Sequence, residues 1–197
     1  MRVSTGGKLT ASASSNWHVC AFEDQADAAA FFRVLGKRLG KYGLELSAAK
    51  TRIIEFRRGE PEGKNRFDFL GFEFYWGRDR AGRAHLKRRT SRRKLSKSLA
   101  NFTQWCRENR HRPVRELMRE LKAKLQGYYN YYGVNGNFGG LKQFYDEAMK
   151  ILLKWWNRRS QRRGLNWPGF KQRLEHFKIP RPRIVERRRR RMAVATA

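Results

Sequence analysis

The spacing of apolar residues changes along this chain, from strand-like alternation to helical recurrence, and the change falls near Ser91. Val19 to Phe22 is a short apolar run suited to a buried strand. Asp24 then offers an N-cap with Asp27 at the third position, and Ala28, Phe31, Phe32, Leu35 and Leu39 recur at helical spacing as far as Gly43. Leu44 and Leu46 predict an extended piece, Ser47 to Lys50 a turn, and Ile53 to Phe56 a returning strand. After a polar loop at 57–66, an apolar alternation runs from Phe67 through Leu70, Phe72, Phe74 and Trp76. It predicts one strand, with Gly71 inside it as a bulge or a point of close backbone approach. Arg80-Ala81-Gly82 predicts a turn, and Ala84 to Lys87 a strand pairing back. Residues 1–16 are small, polar and aperiodic and read as coil.

Beyond Thr90 the pattern is helical throughout. Ser91 is placed to cap a helix carrying Leu95, Leu99, Phe102, Trp105 and Cys106. Pro113 opens a second, with a stripe of Val114, Leu117, Leu121, Leu125, Tyr128 and Tyr132. Leu141, Phe144, Tyr145, Ala148, Leu152 and Trp155 mark a third. Asn166 caps a short fourth through Trp167, Phe170, Leu174 and Phe177, and Pro180 and Pro182 end regular structure. The expected class is α+β: antiparallel strands, a hairpin and one helix over 17–89, then a helical bundle over 90–178, with a basic tail at 179–197.

Charge changes this picture most. The net charge is +29 and the pI near 11.3, far more than solubility requires. Residues 1–60 hold 10 basic and 6 acidic groups, whereas residues 61–197 hold 36 and 11. A field of that sign favours a polyanion, with nucleic acid first, and places its binding surface in the later part of the chain. With 40% hydrophobic residues, 13 Phe and 6 Trp, the chain can bury a core and is not a disordered basic tail. Cys20 and Cys106 stand alone, which excludes a zinc finger and fits a reducing compartment. No apolar run is long enough to span a membrane, and the first sixteen residues lack the apolar segment of a secretory signal.

Aromatics and cations coincide in two places. Gly127-Tyr128-Tyr129-Asn130-Tyr131-Tyr132-Gly133 precedes Lys154-Trp155-Trp156-Asn157-Arg158-Arg159-Ser160-Gln161-Arg162-Arg163. Aromatic planes stack on unpaired bases, and guanidinium groups grip phosphates. With Tyr128 and Tyr132 assigned to the core stripe, Tyr129, Asn130 and Tyr131 are the candidates for RNA contact, with Arg158, Arg159, Arg162 and Arg163. Arg78 to Arg93 adds eight cations against one acid, Asp79, so Lys87, Arg88, Arg89, Arg92 and Arg93 join the candidates. His18, His85, His111 and His176 have no partner at ligand or catalytic spacing, and no metal site is expected.

These motifs, with Phe69-Leu70-Gly71-Phe72, Thr90-Ser91-Arg92-Arg93 and Trp105-Cys106-Arg107-Glu108-Asn109-Arg110, resemble the C-terminal half of a bacterial group II intron reverse transcriptase/maturase. The resemblance runs from about Val19 to Ile184. It implies an unmatched start at 1–16, a partial reverse-transcriptase palm at 17–89 and a helical maturase domain (thumb or X) at 90–178. Phe69, Leu70, Gly71 and Phe72 would correspond to the primer grip, and Lys50 to a lysine near the incoming triphosphate.

One departure weighs against catalysis. The family carries a Tyr-Ala-Asp-Asp turn just before the strand matching Val19 to Phe22, and its carboxylates hold two magnesium ions. Here Ser14-Ser15-Asn16-Trp17 stands in that place, and neither Asn16 nor Trp17 supplies an anionic oxygen. The fingers and earlier palm strands are missing as well. The resemblance therefore implies a truncated chain without polymerase activity of its own and without a cofactor of its own, magnesium belonging to the full-length family. The leading expectation is a module that binds intron RNA, in the bacterial cytoplasm, and assists its folding or splicing; a DNA target or primer is a further partner. Two alternatives stay open. One is an RNA-directed DNA polymerase completed by an upstream fragment, the other a degenerate, general binder of nucleic acid.

Overall fold

The structure, a computed structural model, describes residues 2–11, 14–47, 51–57, 66–79, 81–159 and 164–186, and as far as residue 18 it describes the backbone alone. Five helices and six strands among these residues make the protein α+β. The chain divides into two compact units, residues 1–88 and 89–197.

The first unit opens with β1 (Arg2–Ala11) and β2 (Ser14–Phe22), so the opening residues form a strand instead of the expected coil. β1 is the central strand of a three-stranded sheet ordered β2-β1-β3, where β3 is Arg52–Glu55. Arg2 pairs with Phe22 and Ala11 with Ser14 on one side, and Arg2 pairs with Glu55 and Thr5 with Arg52 on the other. The Ser, Thr and Gly of β1 show no apolar alternation, so the strand carries no sequence signal. Its extended state follows from main-chain bonding to two partners, one of them remote in sequence.

Helix α1 (Gln25–Gly40) begins as its sequence indicates, with Asp24 accepting a hydrogen bond from the Ala26 N–H at 2.7 Å. It leaves through Gly43, where the Leu44 N–H reaches the Leu39 carbonyl at 3.1 Å. Phe31 on its inner side meets Phe22 of β2, ring centres 5.1 Å apart.

The second sheet is ordered β4 (Arg66–Phe69), β5 (Phe72–Arg78), β6 (Ala84–Thr90). The single strand expected from Phe67 to Trp76 is thus a hairpin. Leu70 and Gly71 both have positive φ, 47° and 82°, and Phe69 pairs with Phe72 across them. Two such residues in succession are what a type I′ turn requires. The alternation shifts parity across it, from Phe67 and Phe69 to Phe72, Phe74 and Trp76, which is the trace a two-residue turn leaves in a sequence. The unit's core gathers around Phe56 and Phe67: Phe56 meets Phe67 edge-on at 5.0 Å and stacks on Trp76 at 5.6 Å.

The second unit holds α2 (Arg92–Asn109), α3 (Val114–Tyr132), α4 (Phe138–Trp156) and α5 (Trp167–His176). Phe144 of α4 lies at its centre, edge-on to Phe102 of α2 at 6.2 Å and stacked on Tyr128 of α3 at 3.7 Å. Leu117, Leu121, Leu125, Leu141 and Leu152 are buried around it, each contributing about 1.5–3 kcal/mol through removal from water.

The basic tail expected from 179 onward is in part structural. Lys178, at φ 48°, reverses the chain after α5. The segment 179–186 then returns along α3: Ile179 is buried, and the N–H groups of Val185 and Glu186 donate to the Gly133 carbonyl at 2.8 and 2.9 Å. Gly133 is required there, because a side-chain carbon would stand 3.1 Å from the Val185 nitrogen and far too close to the Tyr129 carbonyl. Residues 187–197, including the rest of that tail, lie outside the described residues. Among the described residues no helix is long and apolar enough to cross a membrane.

Candidate nucleic-acid interface

The C-terminal end of α4 carries a ladder of cations and indoles. The Trp155 ring meets two guanidinium groups, Arg110 at 5.8 Å and Arg158 at 5.1 Å from its centre, and Arg159 sits 5.4 Å from the ring of Trp156. Arg158 is exposed, and its guanidinium lies beside an aromatic plane, the arrangement that leaves its N–H edge open to a phosphate. Arg110, at the end of α2, belongs to the same ladder but was not among the candidates. Its partner Trp155 lies 45 positions on in the sequence, so only the packing of α2 against α4 brings them together.

Arg159 is different. It is half-buried, and its Nη2 donates to the Arg112 carbonyl at 2.7 Å. Burial also lowers its pKa. The Arg112 side chain in turn bonds Glu116 at 3.2 Å and Glu120 at 2.5 Å, and Glu120 accepts a further bond from the Trp105 indole at 3.3 Å. Arg159 therefore ties the end of α4 to the α2–α3 connection. It is a structural residue before it is a phosphate ligand. Arg162 and Arg163 lie outside the described residues, as does Lys50.

The aromatic motif divides against expectation. Tyr129, expected to face RNA, is fully buried, and its hydroxyl donates to the Pro180 carbonyl at 3.1 Å. Burial pushes its phenol pKa up. The apolar stripe runs from Leu121 and Leu125 to Tyr129 in steps of four, while Tyr128 stacks on α4 from the adjoining side. Helix α3 is covered on two sides because the 179–186 segment returns over it. Asn130 and Tyr131 are exposed, Tyr131 at 52%, so they remain available to a base. Asn130 accepts a bond from Gln126 at 2.7 Å, and Tyr131 packs edge-on against Tyr132.

The cations of β6 and the start of α2 fall on both sides of the unit boundary, Lys87 and Arg88 in the first unit and Arg89, Arg92 and Arg93 in the second. Lys87, Arg88 and Arg89 are half-buried, and Arg88 lies 6.0 Å from the Phe72 ring centre. Arg92 and Arg93 are exposed in the first turn of α2, which holds no acid. Cations there oppose the helix dipole, at a cost of about 0.3–1 kcal/mol each, which an approaching phosphate would offset. In the primer-grip-like segment, Phe72 is buried and Gly71 forms the turn, while Leu70 is half exposed at the hairpin tip.

No cluster of His, Cys, Asp and Glu able to hold a metal forms among the described residues. Asn16 and Trp17 lie on β2, where Asn16 pairs with Leu9 of β1. As residue types they provide no carboxylate oxygen, so these positions do not fit a magnesium pair.

No protein-family model matches this chain, and no curated protein matches it either.

Proposed function

We propose that this protein is an RNA-binding module of the maturase type, which holds folded group II intron RNA and favours its spliced or splicing-competent conformation. The observation that carries the reading is the Arg110–Trp155–Arg158 ladder on a chain of net charge +29. The exposed Asn130 and Tyr131 and the first-turn Arg92 and Arg93 support it. The mechanism is noncovalent. Cations neutralise phosphates where RNA helices approach one another, exposed rings hold unpaired bases, and the conformer offering both sets of contacts is selected by differential affinity.

Competition binding with purified protein at moderate salt tests this. Folded intron RNA should displace a labelled intron fragment far better than bulk duplex does; equal displacement would reduce the protein to a general polyanion binder. In this reading the chain polymerises nothing by itself, since Asn16 and Trp17 replace the carboxylate pair. Magnesium-dependent primer extension by the purified chain would show the opposite.

A further inference from the structure

Helices α4 and α5 and the segment after α5 enclose an open groove of about 1050 Å³, at the upper end of the size usual for small-ligand sites. Its apolar lining includes two large aromatics that are not withdrawn into the core, Phe138 at 50% and Trp167 at 43% exposure, with Tyr145, Met149 and Leu174 between the helices. Trp167 is held by an edge contact to Phe170, ring centres 5.8 Å apart, so its outer face is presented on a fixed support.

The charges around this apolar floor are mostly positive. Lys142, Lys150, Lys171, Lys178 and Arg181 line the groove, against Asp146 and Glu175. Lys142 pairs with Asp146, Lys150 with Glu147 and Arg181 with Glu175, all between exposed side chains. Surface pairs of this kind contribute little and yield to a competing anion. Lys171 and Lys178 make no ion pair within the protein among the described residues.

Exposed rings beside uncommitted ammonium groups match a ligand that alternates flat bases with phosphates, and only an unpaired strand offers base faces for stacking. A duplex hides those faces and would meet the cations alone. We infer that the α4–α5 groove is a binding site for single-stranded RNA, with Phe138 and Trp167 stacking on bases and Lys171 and Lys178 contacting the backbone. The inference rests on the RNA-binding reading above and assigns it a second subsite, separate in sequence from the Arg110–Trp155–Arg158 ladder.

The test is fluorescence anisotropy with the full chain, using a short labelled RNA strand of mixed sequence and the same strand annealed to its complement. Phe138→Ala and Trp167→Ala should each weaken single-strand binding about tenfold and leave duplex binding nearly unchanged. Lys171→Gln combined with Lys178→Gln should lower the salt slope by about 0.7 per lost contact. Trp167→Ala could loosen α5, so a circular-dichroism melt accompanies each variant; Phe138, half-exposed at the start of α4, gives the cleaner comparison. Unchanged single-strand affinity in a folded Phe138→Ala protein overturns the groove while leaving general RNA binding intact. The same result, together with lost binding of a polyglutamate peptide, would reassign the groove to an acidic peptide. If the unaltered chain binds no RNA of either form, the groove and the functional reading fall together.

Discussion

Asn137 and Thr90 exchange two hydrogen bonds in the buried interior of the helical unit. The Thr90 N–H donates to Asn137 Oδ1 and Asn137 Nδ2 donates to Thr90 Oγ1, each at 2.8 Å, and the same Nδ2 also reaches the Tyr132 carbonyl at 2.8 Å. One carboxamide thus joins the end of β6, the end of α3 and the start of α4. Asn137→Ala would leave the buried Thr90 N–H without its acceptor and the Thr90 hydroxyl without its amide donor, while the Tyr132 carbonyl keeps the Val134 N–H at 2.8 Å. It should lower stability by about 1–3 kcal/mol. Urea unfolding checks this, and a loss below half the lower figure would mean that water replaces the amide.

The two arginines after α4 should separate by phenotype. Arg158→Ala should reduce RNA affinity a few-fold and flatten the salt dependence by up to about 0.9 of a unit of slope, with the melting curve unchanged. Arg159→Ala breaks the bond to the Arg112 carbonyl and should cost about 1–3 kcal/mol of stability, with a smaller effect on RNA once the protein is folded. Paired filter-binding and unfolding measurements on both variants distinguish them; identical profiles would contradict the assignment.

Tyr129 should prove structural. Tyr129→Phe removes the bond to Pro180 and nothing else, so it should cost about 0.5–1.5 kcal/mol and leave RNA affinity alone. Tyr131→Ala, in contrast, should weaken binding of unpaired RNA while leaving the denaturation midpoint in place. A reversal of those two outcomes in the same pair of assays would restore the opposite assignment.

Glu120 should give the acid limb of stability a measurable component. The Arg112 hydrogen bond holds its pKa below the ordinary 4.5. A carboxyl depressed in the folded state stabilises above its unfolded pKa, and that contribution is lost as pH falls through the folded value. Glu120→Gln should therefore be less stable than the unaltered protein near neutrality, with the difference shrinking as the pH drops below the ordinary carboxylate value. Chemical unfolding over that pH series tests it; a gap that stays constant with pH would exclude the linkage.

Much of this molecule is written in local pattern. The α+β class, the α1 cap at Asp24 and the Asn166 cap of α5 follow from nearest-neighbour chemistry, in which a side-chain oxygen meets an N–H two or three residues on. The helical spacing of Leu117, Leu121, Leu125, Leu141, Phe144 and Leu152 likewise marks the core by periodicity alone, and the excess of positive charge is a sum over residue types. What pattern could not decide depends on partners distant in the chain. Whether Arg2–Ala11 is coil or strand rests on its two partners, β2 along its length and, at Arg2–Thr5, β3 some fifty positions away, since its own side chains show no apolar alternation. Whether Tyr129 faces RNA or core rests on Pro180, 51 residues later, because an isolated helix offers Tyr128 and Tyr129 equal claim to the stripe. Arg158 and Arg159 are chemically identical neighbours, and only the Arg112 carbonyl, brought in by helix packing, makes one a tie and leaves the other to solvent. Tertiary structure decided these points because a hydrogen bond or a covered face requires a second surface, and the sequence does not state which surface arrives.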